Sequence, residues 1–417
     1  MKHLSDSMTI ECDVLVVGAG PAGSSAARAA AEEGIKTVFI DKKKEIDASS
    51  SFAGAIGAYL FPFLPIKIPK EMLIWKIDEL QFCAEGVVVN RKGGPWTSYA
   101  IDRSEFDSWL VDNATKAGAE LYLGMELVDL EIRNHSVTKA RLKSKNGEEI
   151  ITPKAVIAAD GVNSTVLEKL GVRKENLIIG RGISYELENV DLPSPHVDQL
   201  FFGDFTPGGY AYIFPLSENR ANVGVGSIAV DKDIEQCLAE FTALPIVKEQ
   251  IKNAEKVKEK RGQVPFSHLS ESQRYGNVLL AGDAAGQNIK PLIEGFLPAI
   301  ICGGIAGKTV AEHINDGKPL ESYEKNIENK LGPLFKESDR YIDVLEELSH
   351  STKGERHLLT MGLCSNVFSA GDVEILKGEN HAMLKQRLNT WRNSKTRQFM
   401  TNLSERIAIL YLRLLSK

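Results

Sequence analysis

Three groups of residues have types and spacings that could do chemistry. The first is Gly18-Ala19-Gly20-Pro21-Ala22-Gly23, a G-x-G-x-x-G run between the apolar stretch Cys12 to Val17 and the alanine-rich stretch Pro21 to Glu33. The first glycine permits a tight turn. The second removes a side chain where a pyrophosphate must approach backbone, and the third lets strand and helix pack closely. The anion then lies against the positive end of the helix and its free N–H groups. Asp41, with Lys42 beside it, follows Gly18 by 23 residues at the end of the next apolar stretch. A carboxylate there can accept hydrogen bonds from ribose hydroxyls and would repel a 2′-phosphate. The combination predicts a bound dinucleotide but does not separate nicotinamide from flavin.

The second group favours flavin. Asp160-Gly161 and Gly282-Asp283 each end a short apolar run, Val156 to Ala159 and Val278 to Ala281. At the later pair, a carboxylate can bind ribitol or ribose hydroxyls while the helix start behind it faces an anion. That helix end can stabilise negative charge on the N1/C2=O edge of a reduced flavin. The plain alternative at either position is a helix-capping aspartate.

The third group is Tyr210-Ala211-Tyr212-Ile213-Phe214-Pro215, followed by Gly224-Val225-Gly226. A strand's period of two puts Tyr210, Tyr212 and Phe214 on one face, an aromatic wall able to flank an apolar ligand or simply to pack a core. Gly224 and Gly226 would let another group approach their strand closely, or would mark a bulge. No acid–base pair is visible, so the catalytic residues stay unassigned; Tyr210 and Tyr212 are the protic candidates. The eight histidines have no metal-ligand spacing, and no metal site is expected.

These groups need elements to hold them. Cys12 to Val17, Pro21 to Glu33 and Lys36 to Asp41 read as one β-α-β unit, the buried run suiting a parallel strand. Arg103 to Gly118 has helical periodicity, and Leu121 to Leu142 alternates like a strand pair. Tyr210 to Pro215 and Ala221 to Ala229 alternate as strands about the turn Ser217 to Arg220. Beyond Lys318 the pattern is helical, ending in Ser404 to Ser416, whose apolar residues lie all round the helix and favour docking into the body or a partner chain. The expected class is α/β: a Rossmann-like nucleotide domain (1–50, 99–177, 268–317), an inserted β-rich substrate domain (51–98, 178–267) and a helical C-terminal region (318–417).

Composition narrows the classes further. The longest apolar run, Phe296 to Gly307, stops at 12 residues and holds three glycines, too short to span a bilayer. The five cysteines contain no CxxC pair, which excludes a disulfide framework and suits a reducing, cytoplasmic setting. The net charge of −6 hides a basic end, where eight Lys and Arg from Lys385 to Lys417 face Glu405 alone. An acidic body disfavours nucleic acid as a partner, while the basic end leaves peripheral contact with an anionic membrane surface open.

The order of motifs, GxGxxG first, DG mid-chain and GDAAG at Gly282 to Gly286, resembles FAD proteins of the p-hydroxybenzoate hydroxylase fold. Asp102 to Asp107 is similar to that fold's arginine segment, which implies that Arg103 contacts the FAD; Gly295 falls in the matching turn after GDAAG. Tyr210 to Pro215 with Gly224 to Gly226 looks like the YxWxFP…GxG signature of geranylgeranyl reductases, with Tyr212 where tryptophan is usual. The resemblance implies FAD-dependent reduction of isolated C=C bonds in geranylgeranyl chains. The implied electron donor is a carrier such as ferredoxin, or NAD(P)H. Three positions depart from the pattern: Ala53 stands where a loop cysteine is usual, Ile293 where a glycine is, and Leu167 where an arginine is. Two other readings compete, a flavin monooxygenase of the same fold and a flavin- and isoprenoid-binding protein without catalysis.

Overall fold

The computed structural model describes residues 10–46, 54–172, 177–229, 231–348 and 351–395. Ala53 and the stretch Ser404 to Ser416 lie outside the described residues.

Val14–Val17 is buried along its whole length and pairs in parallel with Thr37–Asp41 on one side and Ala155–Ala158 on the other. Val278–Leu280 and Glu120–Leu123 extend the parallel sheet, and Arg274–Tyr275 adds an antiparallel edge, making six strands. Continuous apolar runs fit this position because both faces are covered. The helices Pro21–Glu32, Arg103–Lys116 and Phe296–Asp316 cover one face. A three-stranded meander, Glu126–Arg133, Ser136–Ser144 and Gly147–Ile151, contributes to the core on the other. The stretch expected as one strand pair is thus three strands in two sheets. Gly124, at φ +67°, breaks the run, and Asn134-His135, both at positive φ, makes the hairpin turn.

Alanines and glycines set the contact between Pro21–Glu32 and Phe296–Asp316. A Cβ at Gly303 would lie 2.1 Å from the Ala22 carbonyl oxygen, and one at Gly307 would lie 2.1 Å from that of Ala26. The apolar run that is too short for a bilayer is therefore an inner helix pressed backbone to backbone on its neighbour. Among the described residues no helix is long and apolar enough to cross a membrane.

The second large sheet has seven strands in the order Glu255–Pro265, Ile179–Glu188, Arg220–Ser227, Tyr210–Pro215, Val197–Phe202, Glu79–Ala84 and Val87–Lys92. Alternation assigns its faces. Ala211, Ile213 and Val223 turn toward the helix Ile234–Thr242. Leu200 and Phe202 turn the other way, toward a core shared with the C-terminal helices Lys353–Cys364 and His381–Arg392. Ser322–Glu347 connects this helical group to the nucleotide half.

Candidate active site

The G-x-G-x-x-G run is a tight turn into the helix Pro21–Glu32. Gly18 sits at φ +102°, and a Cβ on it would be 2.3 Å from the Ala159 carbonyl oxygen. A Cβ on Gly23 would be 1.8 Å from the Gly18 carbonyl oxygen, so only glycine closes the turn. Gly20 differs: its missing Cβ points into open space, and Gly20, Pro21 and Ala22 line a cavity of about 1020 Å³. Asp41 stabilises this turn from behind, accepting from the Ala19 N–H at 2.9 Å and from the Lys43 N–H at 2.9 Å. Lys42 beside it is exposed, and neither lines the cavity.

The two acidic-glycine pairs behave differently. Asp160 accepts from the Ser164 hydroxyl at 2.6 Å and the Val166 N–H at 3.0 Å, serving the start of the helix Thr165–Lys169, in which Leu167 is buried. Burial pushes its carboxyl up against the pull of those bonds. Gly161 alone faces the cavity, with open space where a Cβ would stand. Gly282 and Asp283 both line the cavity, and a Cβ on Gly282 would lie 2.9 Å from the Ala22 Cβ, so this turn touches the first one. Gly295 closes the same corner, packed on Asn288 and Asp283.

Arg103 opens the helix Arg103–Lys116, which Asp102 caps through the N–H groups of Ser104 and Glu105. Its guanidinium pairs with Asp107 at 3.0 Å and lies 4.1 Å over the Phe296 ring, which fixes it on the cavity wall. Burial raises the Asp107 carboxyl, with Arg103 opposing.

Tyr210, Tyr212 and Phe214 form the opposite wall. Tyr212 stacks on Phe214 at 4.4 Å, and Tyr210 follows at 6.3 Å from Tyr212. The Tyr210 hydroxyl donates to the Leu292 carbonyl at 2.7 Å, tying the wall to the loop after Gly286. Gly226 lines the cavity; Pro215 and Gly224 do not. The groups that come close to Gly224 are Ser184, whose Cβ would be 2.5 Å from an added Cβ, and the Tyr212 ring, whose hydroxyl would be 2.6 Å from it; the ladders there have no bulge.

Two carboxyl groups in the cavity escaped notice in the sequence. Glu294 accepts from the Gly57 N–H at 3.0 Å and the Tyr59 hydroxyl at 2.9 Å, and burial pushes it up to about 7. Asp198 accepts from the Ser98 hydroxyl at 3.0 Å and is also pushed up to about 7 by burial. Gly57 and Ser98 are register partners in a small three-stranded sheet, so both carboxyls attach to one short ladder. The only sequence signal for Asp198 is an acid among the apolar residues of Val197–Phe202.

The cavity fits an FAD on three counts. Gly20 and Gly161 leave open space where phosphate and ribose need to come near backbone, and the buried Asn288 Oδ1 has no partner among the described residues. Gly282, Asp283, Gly295 and Arg103 share the same cavity.

This fold and cavity define an FAD-dependent oxidoreductase of the p-hydroxybenzoate hydroxylase type. Two families, each described as an FAD binding domain, match residues 13–62 and 83–288. The chain is 33% identical to a digeranylgeranylglycerophospholipid reductase of Methanococcus aeolicus and 34% identical to that of Methanocaldococcus jannaschii, each match covering 84% of this chain and 89% of the relative. It belongs to the digeranylgeranylglycerophospholipid reductase family. The crystal structure of a geranylgeranyl bacteriochlorophyll reductase-like protein from Thermoplasma acidophilum superposes with a TM-score of 0.77 at 26% identity, over 92% of this chain and 100% of that one.

Proposed function

We propose that this enzyme saturates isolated C=C bonds in geranylgeranyl chains of lipids or related prenyl compounds. The observation that carries this reading is one continuous cavity running from the Gly20 turn to the Tyr210–Phe214 wall, with Leu80, Leu200 and Phe202 on its apolar side. Lys353, Arg356, His357, Thr360 and Cys364 also line it, one face of a single helix. The eleven residue steps from Lys353 to Cys364 span about 16 Å, which suits an extended chain better than a compact ring. Lys353 and Arg356 at the start of that face offer positive charge to a polar or anionic head group.

An isolated alkene has no carbonyl to polarise it, so the protein's part is to orient the chain and keep out water. Tyr212, Phe214 and Leu200 would hold it; Gly20, Arg103 and Asp283 would hold the cofactor, which when bound supplies the hydride. Electrons would come from a carrier such as ferredoxin docking at the surface, or from NAD(P)H. A membrane-derived substrate and the basic stretch from Lys385 onward favour peripheral membrane contact.

The test is anaerobic. Chemically reduced protein incubated with a geranylgeranyl lipid should reoxidise its flavin and yield lipid with two hydrogens added per saturated bond, read by mass spectrometry. Unchanged lipid, or oxygen-dependent insertion of an oxygen atom, would overturn the proposal.

A further inference from the structure

Asp198 is 3% exposed, and its strand neighbours Leu200 and Phe202 share the cavity with it. One oxygen accepts from Ser98; the other, Oδ1, is buried with no partner among the described residues. No cation among the described residues pairs with it. Glu294, by contrast, has both oxygens engaged. A buried carboxylate left without compensation is costly, so the group stays a neutral acid. Its O–H then has no acceptor among the described residues, on a side chain that lines the cavity.

Resting on the prenyl-reductase reading above, we propose that Asp198 is the catalytic acid that delivers the proton to the alkene. The hydride brings both electrons of one new C–H bond. The alkene's π pair forms the second C–H bond with the Asp198 proton, the O–H bond breaks, and Asp198 is left as a carboxylate. The Ser98 hydroxyl, already directed at the other oxygen, stabilises that anion until solvent reprotonates it. The chain gains two hydrogens while the reduced flavin is oxidised, so atoms and electrons balance. A pKa raised to about 7 matches an acid that must both give up and recover a proton near neutrality. Burial raises the Tyr210 phenol far above that range, which leaves it a poor donor.

The experiment compares wild type with Asp198→Asn, which keeps the shape and can keep the Ser98 contact. Both are loaded with FAD and reduced anaerobically. The variant should bind flavin stoichiometrically, yet reoxidation by a geranylgeranyl lipid should slow by about 100- to 10,000-fold. Independently of turnover, infrared spectra of the oxidised, substrate-free protein at about pH 6 should show a protonated-carboxyl band that Asp198→Asn loses. Reoxidation within a few-fold of wild type, or a spectrum in which the substitution removes no such band, would overturn the assignment while leaving the reductase reading intact. A wild type that no prenyl chain reoxidises would overturn that reading, and this assignment with it.

Discussion

Replacing Glu294 with glutamine tests whether the second cavity carboxyl is neutral in the folded protein. The carboxamide oxygen can still accept from the Gly57 N–H, and its NH2 can donate to the Tyr59 oxygen, so the local frame survives. What disappears is the proton. A carboxyl raised from its ordinary 4.5 to about 7 binds more protons folded than unfolded between those two values. The stability it contributes is therefore complete below pH 4.5 and is lost as the pH rises through 7. The full shift would be worth about 3 kcal/mol, but Glu294 is partly open to the cavity, so about 1–2 kcal/mol is the expected share. For a chain of this length that is roughly 1–2 °C in Tm. Calorimetry on FAD-loaded protein from about pH 5 to pH 8 should show wild type losing that much more than Glu294→Gln across the window. Parallel profiles would show that Glu294 is already ionised and that the Tyr59 contact is an ordinary carboxylate hydrogen bond.

Two further substitutions address the cofactor corner. Gly20→Val puts a branched side chain into open cavity rather than into protein, so the variant should fold with a nearly unchanged Tm but purify colourless; stoichiometric bound flavin would refute the placement of the pyrophosphate. Ile293 holds φ at +54°, a conformation that costs a β-branched residue roughly 1–3 kcal/mol. Glycine relieves this but loses up to about 1 kcal/mol through the unfolded chain, so Ile293→Gly should leave Tm level or raised, and a drop of more than about 2 °C would show that the turn is not strained.

The nucleotide half was legible because its chemistry is local. A glycine spacing, a buried run on either side and an alanine-rich helix determine their own geometry within about 25 residues, whatever the rest of the chain does. Gly303 and Gly307 show where that locality ends. The sequence marks the segment as apolar and too short for a bilayer, but only the partner helix explains why glycine is needed. Gly224 shows a different limit: period two puts Tyr210, Tyr212 and Phe214 on one face, yet the groups close to that glycine are Ser184 and Tyr212 from its two neighbouring strands, not a ligand.

The two carboxyls are the extreme case. Asp198 meets Ser98 across 100 positions and Glu294 meets Gly57 across 237, and nothing near either residue predicts its partner. Their raised pKa comes from burial by strands that pair only once the fold is complete, such as Val197–Phe202 running parallel to Glu79–Ala84. A motif reports what a short stretch of backbone can hold, whereas a shifted pKa reports what distant segments have taken away from water. Asp41 and Asp160, singled out for their spacing, turn their oxygens to the Ala19 and Val166 amides. Asp198, singled out by nothing, lines the cavity and keeps one buried oxygen without a partner among the described residues. The proton chemistry of this enzyme is accordingly sought among residues without a motif.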